Sequence, residues 1–334
     1  MEKGVLITAG IVFSIAVVFA SITASSAIEE NPYNDRSLLK YGMSNPVIWI
    51  YLDDSDVNSR SWLDYMDRST RAINLPFLNL CYQTITLQNK EIYRTEIIGG
   101  LSDLAVRLGG WAELPTPLQN PLATVGEAQL NWIRSAILRK YGGLWLNPAT
   151  VAIAPFGKLC SEKVVFFGTD TGETLSGTMG TPAPGLHCVW SPIPEHPLFV
   201  AWETMTRKRL ETQLGGMNFR GDEKWDTRQL AGEFPHDIEY QPHAELSRKA
   251  NGKRIQLEDL LSAGQEGVLT FDIQTKSKFV PIPWSELRER RQYGWFLKMS
   301  EEQIMASDLA ITGLFKIGGV TSRLYFNETL VSLK

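Results

Sequence analysis

The stretch between residues 131 and 151 constrains the fold of this chain more than any other. The apolar residues that recur there at helical spacing are Leu130, Ile133, Ile137, Leu138 and Tyr141. The pattern stops at Gly142 and Gly143, which suit the left-handed cap that ends many helices. Residues 144–146 then predict a short buried strand. The sequence therefore predicts a helix that leads into a strand, with Asn147 and Thr150 presented at the outgoing end.

A second buried strand is predicted at residues 46–52, which read P-V-I-W-I-Y-L. A continuous apolar run of this length is typical of strands that are covered on both faces. Asp53 and Asp54 follow it directly. Ligands of open α/β sheets bind beyond the carboxyl ends of strands, so these carboxylates are candidates to face a ligand. The alternative is that they cap the helix predicted at Ser61–Ala72.

Around these residues the chain resembles the glycosyltransferase family that includes capsular polysaccharide synthesis proteins and sugar transferases with an Asp-x-Asp motif. Arg134 matches the arginine of the family's helix, residues 141–143 match its Tyr-Gly-Gly turn, and residues 145–146 match its strand. The resemblance implies an α/β protein with a GT-A-like nucleotide-sugar-binding fold and a mixed central sheet. It also implies transfer of a sugar from a nucleotide-sugar donor to a glycan or protein acceptor.

The chain departs from this family at both acidic positions. Asn131 stands where the family's helix has an aspartate, and Asn147 stands where it has metal-binding carboxylates. Divalent cations that bridge a diphosphate prefer anionic oxygens, and an amide offers a dipole without the charge. We therefore expect no metal ligand at Asn147 and no cofactor, with Mn²⁺ or Mg²⁺ as the ion if the altered motif still binds one. Arg134 could then supply part of the charge that stabilises the leaving diphosphate. The alternative is that Arg134 pairs with a strand-end carboxylate for structural reasons.

His196 is the best candidate among the four histidines. It lies in a Pro-Glu-His-Pro sequence between a predicted strand that ends at Ser191 and a predicted helix that begins at Leu198. In the family that the chain resembles, a comparable segment lies beside donor and acceptor. The alternative is a solvent-facing histidine at a helix N-terminus. The complete set of predicted substrate-binding residues is Trp49, Tyr51, Asp53, Asp54, Asn131, Arg134, Asn147, Thr150 and His196, and no catalytic residue is assigned.

The N-terminus is predicted to cross a membrane. Residues 5–24 carry no charged side chain, and about 20 apolar residues in a helix span about 30 Å. We expect an anchor at residues 1–28 and a stem at 29–45. One glycosyltransferase-like domain then follows at 46–334, with 240–334 as its C-terminal extension. A cleaved signal peptide is the alternative, although the apolar part of such peptides is usually shorter.

The orientation of this predicted span follows from its flanking charges. Lys3 precedes it and Glu29 and Glu30 follow it, and positive residues favour the cytoplasmic side. We therefore expect a single-pass membrane protein whose bulk is lumenal or extracytoplasmic. The sequon at Asn327 would then be open to N-glycosylation.

The remaining patterns predict further elements with less specific signals. Phe77–Leu87 is predicted as a strand because it is rich in apolar, aromatic and β-branched residues, and Ile97–Leu108 is predicted as a helix. Residues 164–170 are predicted as a strand and Glu301–Phe315 as one helix.

Composition narrows the functional classes. A net charge of −4 argues against nucleic-acid binding. A hydrolase is disfavoured because neither a Gly-x-Ser-x-Gly elbow nor a His-Glu-x-x-His helix is present. Two hypotheses remain. One is a membrane-anchored glycosyltransferase, and the other is an inactive fold of that type that serves as a membrane-anchored structural or virion- or envelope-associated protein.

Overall fold

A computed structural model of the chain describes residues 45–52, 76–159, 162–170, 183–212, 223–241, 249, 255–264, 269, 271–272 and 276–321. These residues, from Pro46 onward, belong to one compact unit. None of their helices has the length and apolar character needed to cross a bilayer. Several predicted features lie outside the described residues, namely the span at residues 5–24, the stem as far as residue 44, Asp53, Asp54, the predicted helix Ser61–Ala72 and Asn327.

The fold is mixed α/β, with a six-stranded central sheet and a separate two-stranded sheet. Its described strands are β1 (Val47–Leu52), β2 (Arg94–Gly99), β3 (Gly143–Leu146), β4 (Thr150–Ala152), β5 (Val164–Asp170), β6 (Ala183–Ser191), β7 (Ile238–Gln241) and β8 (Phe279–Pro281). The central sheet has the order β2-β1-β3-β6-β5-β7, and β4 pairs with β8. Strands β1, β2 and β3 are parallel, whereas β6 runs antiparallel to β3 and β5. The predicted mixed sheet is thus confirmed, with β3 near its centre.

The α-helices of the described residues cover both faces of the sheet. They are α1 (Pro76–Asn89), α2 (Gly100–Leu108), α3 (Glu127–Tyr141), α4 (Pro197–Thr212), α5 (Glu223–Glu233), α6 (Leu257–Leu260), α7 (Trp284–Glu289), α8 (Glu301–Met305) and α9 (Ala310–Ile317). The predicted helix before Gly142, the strands at β1, β3 and β5, and the helix after His196 are confirmed.

Three predicted elements were wrong or incomplete. Phe77–Leu87 lies in helix α1 and is not a strand, because its buried residues Phe77, Cys81 and Ile85 recur every four positions and form one helical face. The predicted helix Ile97–Leu108 begins only at Gly100, since β2 extends to Gly99. The predicted helix Glu301–Phe315 is two helices, α8 and α9.

The side chains of β1 and β3 alternate between two apolar layers. Ile48, Ile50, Leu144 and Leu146 pack on the face that helices α1, α8 and α9 cover. Trp49, Tyr51 and Trp145 pack on the opposite face, against helices α2, α3 and α4. Trp49 and Trp145 are register partners in the parallel β1–β3 pair. Helix α3 therefore lies directly over the tryptophan of the strand that it precedes.

The turn between α3 and β3 requires both of its glycines. Gly142 and Gly143 have positive φ angles of 65° and 91°. The ψ of Gly142 is −160°, so the turn is not the left-handed cap that the sequence predicts. A Cβ on Gly143 would lie 2.6 Å from the carbonyl oxygen of Val47. The Trp49 indole N–H donates to the Gly142 carbonyl at 2.9 Å, which holds the turn against β1.

Candidate functional site

The ends of the strands define two edges of the central sheet, and different side chains lie at each. Strands β1, β2 and β3 end at the edge that we call the carboxyl edge, where β6 begins. Strands β1 and β3 begin at the opposite edge, the amino edge, where β6 ends. Residues 53–75, which follow β1 in the sequence, and 171–182, between β5 and β6, lie outside the described residues.

Asn147 follows β3 at the carboxyl edge and is held by two side chains. The Trp145 indole Nε1 donates to Asn147 Oδ1 at 3.2 Å, and Asn147 Nδ2 lies 3.0 Å from His187 Nδ1. The backbone N–H of Asn147 also donates to the carbonyl of His187 at 2.9 Å. His187 lies on β6, so Asn147 fastens the end of β3 to the neighbouring strand.

Arg134 reaches the same group of side chains from helix α3. Its Nη1 donates to Asn131 Oδ1 at 2.9 Å, one helical turn earlier. Its guanidinium carbon lies 5.5 Å from the ring centroid of Trp145, a cation–π distance. Asn131 and Arg134 are therefore brought together with Asn147 through Trp145. We call Asn131, Arg134, Trp145, Asn147 and His187 the carboxyl-edge cluster.

The members of this cluster differ in exposure. Asn131 is 2% exposed, Arg134 is 1% exposed and Trp145 is fully buried. Asn147 and His187 are half-buried. A ligand at the carboxyl edge would therefore meet Asn147 and His187, whereas Arg134 would act on it through its charge. The sequence alone assigns direct contact to Arg134 and does not single out His187.

His187 carries no motif that would distinguish it in the sequence. It becomes a site residue only because β6 runs antiparallel to β3 in a register that pairs Leu146 with Cys188. That register places His187 beside the residue that follows Leu146. To identify His187 from the sequence, one would have to know beforehand that β3 pairs with β6.

Three other predicted substrate-binding residues are buried inside the fold. Trp49 and Tyr51 are 2% and 3% exposed and pack under helices α2 and α3. Thr150 is fully buried in β4, which pairs with β8. The chain turns back into the core within three residues of Asn147, so Thr150 is packed and not presented. These positions support the sheet that carries the cluster.

His196 lies at the amino edge and caps helix α4. Its Nδ1 accepts from the backbone N–H of Leu198 at 3.2 Å, and its carbonyl accepts from the N–H groups of Phe199 and Val200. The histidine is buried, and this burial lowers its pKa from 6.5, opposed in part by the charge of Asp237. His196 is therefore a neutral helix cap.

The structure does not bring His196 together with Asn147. Strand β6 ends at Ser191, which pairs with Gly143, the first residue of β3. Asn147 comes after the last residue of β3, and four strand residues extend about 13 Å. The two predicted site residues are thus at opposite edges of the sheet.

A cleft of about 600 Å³ opens beside His196 at the amino edge. Its lining combines apolar and acidic side chains, which are Leu159, Glu162, Trp190, Pro192, Ile193, His196, Pro197 and Asp237. The cleft contains no member of the carboxyl-edge cluster.

The described part of the carboxyl edge does not fit a divalent cation. Asn147 Oδ1 already accepts from Trp145, and His187 Nδ1 faces the Asn147 amide. Nowhere in the described residues do three or more His, Cys, Asp or Glu side chains form a group that could hold a metal. Mn²⁺ and Mg²⁺ require several hard, mostly anionic oxygens, and two amides and an imidazole do not supply them.

Comparison with known proteins adds no assignment to this geometry. Neither a protein-family model nor a curated protein sequence matches the chain.

Proposed function

We propose that this chain binds a nucleotide-sugar donor at the carboxyl edge of its sheet, without a metal ion, and transfers the sugar to a glycan or protein acceptor. The carboxyl-edge cluster is the observation that carries the proposal. It joins a buried cation on α3 to two half-buried polar side chains that follow or neighbour β3. The mixed sheet with β3 near its centre supports a GT-A-like arrangement.

The electrostatics of the cluster suit a departing diphosphate. Glycosyl transfer leaves negative charge on the phosphates, and stabilising that charge is commonly the largest catalytic term. Two opposite unit charges about 8 Å apart attract by about 2 kcal/mol at an effective dielectric constant of about 20. A guanidinium held beneath Trp145 supplies such a charge without touching the ligand. Asn147 and His187 supply hydrogen-bonding groups at the surface.

The same proposal places the chain in a membrane. The uncharged residues 5–24 would anchor it in a single pass, with the sheet and its site on the lumenal or extracytoplasmic side. Glycosylation of Asn327 in a host that modifies sequons would support this orientation. Resistance of the chain to protease that is added to the cytoplasmic side of sealed membranes would also support it.

Calorimetry on the full chain in detergent micelles tests the donor site. UDP-glucose and GDP-mannose are titrated with Mn²⁺ or with EDTA, and one of them should bind with the same affinity under both conditions. Arg134→Met should weaken that binding about tenfold or more, because the buried charge is lost. Arg139→Met is the matched control, since it removes a guanidinium from the same helix at the amino edge. Binding that requires Mn²⁺ would contradict the metal-free site.

The second candidate function is an inactive glycosyltransferase-like fold that serves as a membrane-anchored structural or virion- or envelope-associated protein. One observation favours it. Both residues that replace the family's acids, Asn131 and Asn147, form hydrogen bonds within the fold. A folded chain that binds neither nucleotide sugar would support this candidate and contradict the first.

A further inference from the structure

The cleft at the amino edge combines a buried wall with an exposed rim. Its volume of about 600 Å³ is within the range of protein sites that bind small ligands. Trp190 and His196 are each 6% exposed and form the buried part of the lining. Ile193 is 55% exposed, and Glu162 and Asp237 are exposed as well. A ligand in the cleft would therefore cover apolar surface and meet two carboxylates.

His196 offers a hydrogen-bond donor to this cleft. The backbone N–H of Leu198 can only donate, so His196 Nδ1, which lies 3.2 Å from it, accepts and carries no proton. Burial lowers the pKa of His196, opposed in part by the charge of Asp237, so the ring is neutral at pH 7 with its proton on Nε2. Among the described residues, Nε2 has no hydrogen-bond partner. A buried donor without a partner is costly, and an acceptor on a ligand would remove that cost.

The two carboxylates of the cleft lie where β5 and β7 begin, and both are unpaired. The backbone N–H of Val164 donates to the Asp237 carbonyl at 2.8 Å, which places Glu162 and Asp237 beside neighbouring strand starts. In the part of the chain that the structure describes, neither side chain has a hydrogen bond or ion pair. The adjacent Glu195, by contrast, is paired with Arg139 at 2.9 Å. Because the described lining contains no lysine or arginine, it carries two negative charges and no positive one.

We propose that this cleft binds a peptide segment in which a lysine or arginine lies beside an apolar residue. The cationic side chain pairs with Glu162 and Asp237, a peptide carbonyl accepts from His196 Nε2–H, and the apolar side chain covers Ile193. Such a segment carries a cation, an acceptor and an apolar group within two residues, which matches the three features of the lining. The cleft contains no residue of the carboxyl-edge cluster, so this inference does not depend on the proposed donor site.

Calorimetry on the full chain in detergent micelles tests the chemistry of the ligand with blocked peptides that differ at one position. Acetyl-Leu-Lys-Leu-amide should bind, and acetyl-Leu-Met-Leu-amide should bind about tenfold more weakly because it lacks the cation. Acetyl-Leu-Glu-Leu-amide should not bind, and added salt should weaken binding of the lysine peptide because the carboxylates are exposed. n-Butylamine, which has the cation without a carbonyl, should bind more weakly than the lysine peptide. Equal affinity for n-butylamine would assign the cleft to a free amine and overturn the peptide.

Substitutions in the lining test whether the lysine peptide binds in this cleft. The double variant Glu162→Gln, Asp237→Asn should bind it about tenfold more weakly and no better than the methionine peptide. Glu233→Gln is the matched control, since it removes an exposed carboxylate on α5 outside the lining, and it should bind as wild type does. His196→Asn keeps an oxygen for the helix cap but loses the imidazole donor, so it should bind several-fold more weakly.

Two results would overturn the proposal. One is a folded wild type that does not bind the lysine peptide, and the other is a double variant that binds it with wild-type affinity. Wild-type affinity in His196→Asn would overturn the hydrogen bond from the histidine.

Discussion

The two edges of the central sheet place their polar side chains in different roles. At the amino edge, Trp49 bonds the carbonyl of Gly142 and His196 bonds the backbone N–H of Leu198. At the carboxyl edge, Asn147 bonds the side chains of Trp145 and His187. Side chains that satisfy backbone groups fix turns and helix ends. Side chains that orient one another at a half-buried edge, by contrast, hold a geometry that no turn or helix end requires.

The two histidines show how this difference escapes sequence inspection. His196 is flanked by prolines and precedes a helix, which makes it conspicuous. Proline is favoured at the first position of a helix, so Pro197 and the His196 cap together explain the motif as a helix start. His187 has no such context, and yet its ring contacts the side chain of Asn147 at the end of β3.

If the turn at the amino edge serves folding alone, Gly143→Ala should have the largest effect on stability and none on the site. The new Cβ would lie 2.6 Å from the Val47 carbonyl at a φ of 91°, so backbone has to move. We expect a loss of about 3 kcal/mol or more in the free energy of unfolding, measured in urea. Gly99→Ala is the matched control at the carboxyl edge, because its Cβ would meet nothing within 4 Å. A Gly143→Ala protein as stable as Gly99→Ala would contradict the structure of the turn.

Glu203 links helices α3 and α4 and should be the next most sensitive residue. This buried carboxylate on α4 accepts from Trp132, Arg139 and Arg207 at 2.9, 3.1 and 2.7 Å. Glu203→Gln leaves two guanidinium groups without their shared charge. Both arginines are partly exposed, so we expect a loss of about 2–3 kcal/mol, below the full cost of a buried unpaired charge.

Glu211→Gln provides the comparison for Glu203 on the same helix. Its contact with Arg207 spans 4.0 Å and its side chain is 47% exposed, so the change should cost under about 0.5 kcal/mol. Equal losses for the two glutamates in urea unfolding would show that burial of Glu203 does not matter.

The sequence predicts the amino-edge geometry better than the carboxyl-edge site, for a physical reason. Helix α3 and β3 follow from the local spacing of apolar residues and were confirmed, and the two glycines do form the turn between them, although not as the predicted left-handed cap. Helix α1 was predicted as a strand because Thr84, Ile85 and Thr86 favour strands, while packing against both α8 and β4 selects the helix. The Asn147–His187 pair depends on strand register over 40 residues, which no local pattern encodes.

His196→Ala should cost about 1 kcal/mol, the usual value of a lost helix cap. His196→Asn restores an oxygen acceptor at the cap and should recover most of it. Burial lowers the pKa of His196 below 6.5, so the unfolded chain takes up the proton first as pH falls. The stabilisation is therefore complete above about pH 6.5 and declines below it. In urea unfolding, the stability of His196→Asn should fall less than that of the wild type as pH drops below about 6.5. Equal pH profiles of the two proteins would contradict the cap.

Asn147→Ala should have a small effect on stability, and its effect on UDP binding should distinguish the two edges of the sheet most clearly. It removes the partner of Trp145 Nε1 and of His187 Nδ1, but both of these contacts are only part-buried, so water can replace the amide. We expect a loss under about 1 kcal/mol in urea unfolding, similar to or below that of His196→Ala. UDP affinity should nevertheless fall, because Asn147 is one of the two half-buried polar side chains of the proposed donor site, whereas His196→Ala leaves it unchanged. A large loss of stability with normal UDP binding would mean that Asn147 fastens β3 to β6 and that the two edges do not differ in role.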